Sequence, residues 1–250
     1  MTVHTSLTQN CKASSYWLDD LQMPPSLPSE LQKSVDVVII GSGYTGMHAA
    51  IETARGGRST MVLDAQDPGW GCSTRNGGQI STSIKPSFEK LSKKYGPERA
   101  RAIRQEGETA LEWIEEFVTT EALDCDFRRN GRYHAAHTPE HYNEIARNAE
   151  TLRKLEGIEA HAVPRSEQRS ELGSDVYHGG VVFARHASIN PAKYHRGLLS
   201  LAIAAGAHVV GNCAVTGIKN EGHRFVLATA RGEVHARNVI VATNGYTTGL

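Results

Sequence analysis

Long apolar runs, paired cysteines and an excess of either charge are all absent from this sequence of 250 residues. No stretch reaches the roughly 18 consecutive apolar residues that a transmembrane helix needs, and the amino-terminal end lacks the apolar segment of a secretory signal. Lysine plus arginine and aspartate plus glutamate both number 27, so the formal net charge is zero. This balance disfavours a nucleic-acid partner, and we expect no transmembrane segment.

Cysteine and histidine do not form clusters typical of a disulfide framework or a metal site. The four cysteines are far apart and include no Cys-x-x-Cys pair: Cys11, Cys72, Cys125 and Cys213. This usage favours reduced thiols in a cytoplasmic protein. His134 and His137 are three residues apart, but no third ligand follows at a recognisable spacing, so we expect surface histidines there and no metal.

A strand, a glycine-rich turn, a helix and a second strand are predicted after the first 34 residues, which form a polar, proline-containing lead-in segment. VDVVII at 35–40 and STMVLD at 59–64 are apolar runs typical of buried strands. Residues 45–55 are predicted to form a helix that ends at two glycines. Strands joined through a helix require a parallel sheet with right-handed crossovers, and ligands bind at the carboxyl ends of such strands.

The remainder of the chain is predicted to alternate helices with short strands. The Asn130-Gly131 pair predicts a β-hairpin, and VYHGGVVFA at 176–184 predicts a strand. Apolar spacing predicts three helices, at 97–119, 140–155 and 191–205. A β-meander is predicted from three short strands at 214–219, 224–229 and 233–236, followed by a last buried strand at 238–244.

Gly41, Gly43 and Gly46 form a G-x-G-x-x-G pattern directly after the first predicted strand. The first glycine permits a tight turn, the second lets the backbone approach a pyrophosphate, and the third lets helix and strand pack closely. Glycines that merely turn the chain are the alternative interpretation. Asp64 ends the second strand, about 20 residues further on, where an acid that binds a ribose is expected. Together these features favour dinucleotide binding.

The loop GWGCSTRNGGQIS, at 69–81, indicates which dinucleotide is bound. It offers backbone amides at glycines and polar side chains from Ser73, Thr74 and Asn76. Such a loop can wrap a second length of dinucleotide and face an isoalloxazine ring, which a nicotinamide domain does not need. A flexible surface loop of small residues is the alternative. We favour a flavin.

Two segments resemble the flavin signature of the D-amino-acid-oxidase-like superfamily: VVIIGSGYTGMHAAIETA and VLDAQDPGWGCSTRNGGQ. They are especially similar to its gamma-glutamylputrescine oxidase-like branch, in which Gly-Tyr-Thr-Gly and Arg-Asn-Gly-Gly-Gln are typical. SYWLDD near the start, the HASINPAKYHRGLLSLAIAAGA stretch and NVIVATNGYT near the end are similar to further parts of that family. The resemblance spans nearly the whole chain.

The resemblance implies a set of residues that bind FAD. Asp64 stands where the family usually has Glu, and Arg75 stands where some relatives carry a histidine that links the flavin covalently, so non-covalent FAD is expected. The residues facing the pyrophosphate would be Gly41, Ser42, Gly43, Thr45 and Gly46, with Asp64 on the adenosine ribose. Those along the flavin would be Ser73, Arg75, Asn76, Gly77, Gly78 and Gln79. Val215 would meet the adenine, and Ala242, Thr243 and Asn244 would close over the pyrophosphate.

The fold class implied is α/β, with a Rossmann-like FAD-binding domain of the glutathione-reductase-like type and an inserted, incomplete α+β substrate domain. We expect the FAD-binding domain to be discontinuous, at 35–95 and 186–250, with part of the substrate domain at 96–185. Family members continue beyond the last strand seen here. We therefore expect this chain to be an amino-terminal part that is inactive alone.

The activity implied by the resemblance is FAD-dependent oxidation of a primary or secondary amine. Hydride transfer to the flavin would give an imine, and oxygen would then yield hydrogen peroxide. The substrate is expected to be a small-molecule amine, such as a gamma-glutamylated polyamine or an amino acid. No catalytic acid or base is assigned, because the flavin carries the difficult step. A quinone-linked amino-acid dehydrogenase and a non-catalytic FAD-binding fragment are the alternatives.

Overall fold

The structure is a computed structural model that describes residues 14–19, 21 and 30–247. Much of the predicted lead-in segment, including Cys11, lies outside the described residues. Its described part contains a 3-10 turn at Tyr16–Leu18. Within the ranges just given, no helix is long and apolar enough to span a membrane.

Five α-helices and eleven strands are the main elements of the described chain. In chain order they are β1 (Ser34–Ile40), α1 (Tyr44–Arg55), β2 (Thr60–Leu63), β3 (Gln79–Ile80), α2 (Phe88–Tyr95), α3 (Pro97–Thr120), β4 (Arg132–Ala135), α4 (Pro139–Glu156), β5 (Ala160–Val163), β6 (Gly180–Phe183), β7 (Ala187–Ser188), α5 (Pro191–Ala204), β8 (His208–Val210), β9 (Val215–Asn220), β10 (Phe225–Thr229) and β11 (Gly232–Val241). The strand–helix–strand unit and the helices predicted near 97–119, 140–155 and 191–205 are confirmed.

The chain divides into two compact units, formed by residues 1–77 with 190–250 and by residues 78–189. The boundaries differ slightly from those predicted, because residues 78–95 and 186–189 fall in the second unit. The reason is local pairing: β3 pairs with β7, and the backbone N–H of Ile189 donates to the Gly78 carbonyl at 2.8 Å. The assignment of one unit to FAD and the other to substrate stays a prediction.

The first unit is built on a six-stranded sheet with the order β8-β2-β1-β11-β10-β9. The four strands from β8 to β11 in this order are parallel, and β10 and β9 add to them antiparallel. The parallel sheet and the β-meander are therefore both confirmed. Val38, Ile39, Met61 and Leu63 are fully inaccessible or nearly so, as expected for central strands with apolar side chains on both faces.

One strand was split in two by the sequence prediction. Residues 233–236 and 238–244 were predicted as separate strands, but β11 runs continuously from Gly232 to Val241. Its pairing with β10 runs from Gly232 to Ala236 and its pairing with β1 runs from His235 to Val241, so His235 and Ala236 pair with both neighbours. Because the two pairings overlap, the strand continues without a break between the two predicted ranges.

The second unit contains a three-stranded antiparallel sheet with the order β4-β6-β5. Helix α4 packs on this sheet through Ala149, which contacts the apolar cluster around Ala160 and Val181. The helix begins at a Thr138 cap, whose side chain accepts the His141 N–H, and ends at Gly157, which has a φ of 67°. Helices α2 and α3 pack against each other.

The predicted hairpin at Asn130-Gly131 is wrong. Strand β4 follows this pair, but its partner is the distant β6, and Arg128, two residues before the pair, forms an isolated bridge with Ser188. Gly131 does adopt a turn-like φ of 70°, and its N–H donates to the His186 carbonyl. The chain therefore bends here between two long-range partners. The strand predicted at 176–184 is also shorter, because only its second half, β6, pairs with neighbours.

Candidate functional site

The carboxyl ends of β1, β2 and β11 meet at one edge of the sheet. The Gly41 N–H donates to the Leu63 carbonyl and the Ala242 N–H donates to the Ile40 carbonyl, both at 2.8 Å. A cavity of about 690 Å³ opens at this edge, within the range of small-molecule sites. The predicted site residues that line it are Gly41, Ser42, Gly43, Thr45, Asp64, Ser73, Asn76, Val215, Ala242, Thr243 and Asn244. Segments far apart in sequence thus converge as a doubly wound fold requires.

Five predicted site residues do not line this cavity. Gly46 is buried in the first turn of α1, where it packs against the glycine turn, residues 41–43 between β1 and α1. Gly77 is exposed. Gly78 and Gln79 belong to the second unit. The Arg75 guanidinium is turned toward Trp70: its Nε donates to the Trp70 carbonyl at 2.7 Å, and its Cζ lies 5.2 Å from the indole ring.

Each glycine of the motif has a separate steric reason. Gly41 has a φ of 101°, and a Cβ there would lie 2.6 Å from the Ala242 carbonyl oxygen. A Cβ on Gly46 would lie 1.9 Å from the Gly41 carbonyl oxygen, so this glycine lets α1 pack against the turn. A Cβ on Gly43 would meet only the Ser73 Oγ, at 2.9 Å. A side chain at Gly41 or Gly46 would therefore collide with the protein's own backbone. The absence of a side chain at Gly43 instead leaves the cavity open next to the backbone.

The Asp64 carboxylate is held by hydrogen bonds from the turn. Its Oδ2 accepts the Ser42 N–H at 2.8 Å and the Ser42 hydroxyl at 2.5 Å, and its Oδ1 accepts the Gln66 N–H at 3.0 Å. Three donors fix an acid that lines the cavity and leave acceptor capacity for a hydroxyl group. Asp has a shorter side chain than the Glu that is usual in the family. In this protein the Asp64 carboxylate bonds directly to Ser42 of the turn.

The loop at 69–81, called the second loop from here on, is hydrogen-bonded to the start of α1 and to the lead-in segment. The Tyr44 N–H, at the start of α1, donates to the Ser73 Oγ at 3.1 Å, and the Thr74 hydroxyl donates to the Gly69 carbonyl at 2.7 Å. From the lead-in, the Ser15 hydroxyl donates to the Thr74 carbonyl and the Trp17 Nε1 donates to the Asn76 carbonyl. The loop is therefore an ordered wall of the cavity and not a loose surface segment.

Sequence reasoning missed several residues at the site. The cavity is also lined by Tyr44, Gln66, Gly69, Trp70, Cys72 and Tyr246. All six could have been found, because they lie inside segments that resemble the family. His195, whose Nε2 lies 2.6 Å from the Ser42 carbonyl oxygen, lies in the HASINPAKYHRGLLSLAIAAGA stretch that resembles the family but outside both glycine motifs, so its contact with the turn had no signal of its own.

Comparison with known proteins identifies the family. Residues 36–250 match the family model described as FAD dependent oxidoreductase, DAO. The chain belongs to the DAO family of FAD-dependent oxidoreductases. The family indicated by the two motifs, the α/β fold and the FAD cofactor of the family are thereby confirmed.

Individual DAO-family relatives agree with this assignment. The chain is 32% identical to the gamma-glutamylputrescine oxidoreductase of Escherichia coli over 98% of its own length and 56% of the relative's. It is 30% identical to a probable oxidoreductase, OrdL, of Rhizobium meliloti over 89% of its own length and 51% of the relative's. The chain thus spans about half the length of the curated relatives it matches.

A solved structure supports the fold. The glycine oxidase of Geobacillus kaustophilus superposes with a TM-score of 0.71 at 19% identity, over 84% of this chain and 55% of that one. At this identity the likeness concerns the fold alone. It agrees with the α/β fold described above.

Asp64→Asn is expected to destabilise the first unit by about 1–3 kcal/mol in the absence of FAD. All three partners of the carboxylate are donors, so an amide group must turn its own N–H toward one of them. Urea unfolding measures the loss. Asp67→Asn is the matched control, because the Asp67 Oδ1 accepts from the Asn212 side chain and an amide oxygen can do the same. Equal stability of the two variants would contradict the account.

Proposed function

We propose that the protein uses FAD to oxidise a primary or secondary amine to an imine, with oxygen as acceptor and hydrogen peroxide as product. The single observation that supports this most is the cavity at the carboxyl ends of β1, β2 and β11, which combines a bare glycine turn with a fixed acid in a DAO-family chain. Bound FAD would supply the hydride acceptor for the amine carbon.

The residues at the cavity fit the chemistry of a dinucleotide. Gly43 precedes α1 and offers no side chain to cap it, so the positive end of the helix lies at the part of the cavity wall that Gly43 lines. The Asp64 carboxylate is an acceptor for ribose hydroxyl groups. Val215 lies at the start of β9, where we propose that it contacts the adenine. Ala242, Thr243 and Asn244 would close the site from the end of β11.

The remaining predicted residues are proposed to act along the flavin. Ser73 and Asn76 line the cavity on the side of the second loop. Gly77, Gly78, Gln79 and Arg75 continue this loop, and we keep them as proposed flavin contacts. No catalytic acid or base is proposed, because a bound amine needs orientation more than proton transfer.

The substrate is proposed to be a small-molecule amine such as a gamma-glutamylated polyamine or an amino acid. The named Escherichia coli relative supports the first, and the named glycine oxidase supports the second. We also propose a cytoplasmic protein with no nucleic-acid partner, from the scattered cysteines and the balanced charge.

The activity is tested with the purified protein and a panel of amines, with oxygen uptake and peroxide production measured together. Equal molar amounts of oxygen consumed and peroxide formed would support an oxidase. Turnover with a quinone or dye but without oxygen uptake would instead identify a dehydrogenase. FAD binding without turnover by either route in the protein purified from its natural source would identify a non-catalytic flavin-binding chain and contradict the proposed function, whereas the 250-residue chain alone is expected to show no turnover.

The FAD is expected to be bound non-covalently, because Arg75 stands where some family members carry the linking histidine. The Arg75 side chain is engaged by Trp70 and offers no nucleophile. Acid denaturation followed by centrifugation should leave the yellow colour in the supernatant. Colour that stays with the protein pellet would show a covalent link.

A further inference from the structure

His195 is a buried histidine of α5 whose ring contacts the glycine turn at Ser42. It is only 3% exposed, and its Nε2 lies 2.6 Å from the carbonyl oxygen of Ser42, which is fully buried. A carbonyl oxygen has no proton, so Nε2 must carry the hydrogen and donate it. The bond joins α5 to a residue 153 positions earlier in the chain.

The direction of this bond determines where the next amide points. The peptide between Ser42 and Gly43 is trans, so its C=O and N–H groups point in opposite directions. With the carbonyl held by His195, the Gly43 N–H points away from α5. Gly43 itself lines the large cavity, which His195 does not line.

The imidazole ring is fixed by its surroundings. Gly69 has a φ of 80°, and a Cβ there would lie 2.5 Å from the His195 Cε1, so the backbone packs directly against the ring. The Gly69 N–H also donates to the Ser42 Oγ at 3.1 Å. Near the start of α5, the Pro191 carbonyl accepts the Tyr44 hydroxyl at 3.0 Å. These contacts fix the position of the His195 ring relative to the turn and to α5.

Electrostatics favour the neutral ring. Burial lowers the pKa of His195 below its ordinary value, while the Ser42 carbonyl and the nearby Asp64 carboxylate oppose this shift. Below neutral pH the ring therefore resists protonation. A neutral donor orients the carbonyl without placing a second full charge beside Asp64.

We propose that His195 is a positioning residue for FAD: by holding the Ser42 carbonyl, it aims the Gly43 N–H at the pyrophosphate. This inference rests on the proposed FAD site at the glycine turn. It assigns a role in cofactor binding to a side chain that does not line the large cavity and lies outside both glycine motifs.

Four variants test the proposal through the dissociation constant of FAD, measured by quenching of flavin fluorescence. The Nε2 of Gln matches that of His in bond count from Cβ, whereas the Nδ2 of Asn is one bond shorter. We expect His195→Leu and His195→Asn to weaken FAD binding about tenfold or more, and His195→Gln to stay within about threefold of wild type. The control is His48→Leu, because His48 also joins α1 to α5, through the Tyr194 hydroxyl at 2.9 Å, and does not line the large cavity. It should bind FAD as wild type does.

The outcomes separate this inference from the function on which it rests. If the His195 variants bind FAD as wild type does while Gly43→Val does not, the FAD site stands and the role of His195 is wrong. If Gln, Asn and the His48 variant all weaken binding equally, His195 merely holds the helices together and the proposal is wrong. If wild type itself does not bind FAD, the proposed function fails first. Should His195→Leu not fold, the Gln and Asn pair decides alone.

Discussion

Replacing Gly43 by Val is expected to abolish FAD binding while the protein keeps its fold. Gly43 has a φ of −67° and a ψ of −176°, which is extended backbone that Val adopts readily. A Cβ would meet only the Ser73 Oγ, which can turn away at the cost of one hydrogen bond, the one it accepts from the Tyr44 N–H. The branched side chain would instead project into the cavity, where the pyrophosphate must approach the backbone. Far-UV circular dichroism should be unchanged, and the purified variant should carry no visible flavin absorbance.

The control for this variant is Gly217→Val. Gly217 lies on β9, and a Cβ there has no neighbour within 4 Å. It does not line the cavity, so flavin content should match that of wild type. If Gly43→Val instead copurifies with normal flavin content, the pyrophosphate does not lie at this turn.

Gly46→Ala is expected to have the opposite effect. It should lower the stability of the protein even in the absence of FAD. The added Cβ would lie 1.9 Å from the Gly41 carbonyl oxygen. Neither atom can move unless the backbone that carries it moves. Helix α1 must move away from the end of β1, at a cost of about 3 kcal/mol or more in the free energy of unfolding. Urea denaturation without FAD should show this loss.

Gly43→Ala is the internal comparison for Gly46→Ala, since both add one methyl group to the same turn. Gly43→Ala should unfold at nearly the urea concentration of wild type, because its only close neighbour is the Ser73 Oγ. Equal stability of the two alanine variants would show that the turn is not packed as described.

The core of the site could be predicted because its determinants are local. A β-branched run, three glycines at fixed spacing and an acid at the end of the next strand specify β1, the turn, α1 and β2 within about 30 residues. The structure accordingly places Gly41, Gly43 and Asp64 at one edge of the sheet. Their contacts with FAD stay predictions that the variants above test.

The features that could not be predicted depend on partners far away in the chain. β8 has only three residues, too few for a periodic signal, and its place beside β2 is set by the sheet. Asn130-Gly131 has the sequence of a hairpin, but β4 pairs with β6 instead. His195 occupies an ordinary position of an amphipathic helix, and only the folded chain brings its ring to the Ser42 carbonyl.

The central claim is that the turn between β1 and α1 holds the pyrophosphate of FAD. A crystal structure of the protein with FAD tests it most directly. The account predicts pyrophosphate oxygens about 3 Å from the Gly43 nitrogen and a ribose hydroxyl within hydrogen-bonding distance of the Asp64 carboxylate. Well-defined FAD bound elsewhere, with neither group in contact with it, would contradict the account.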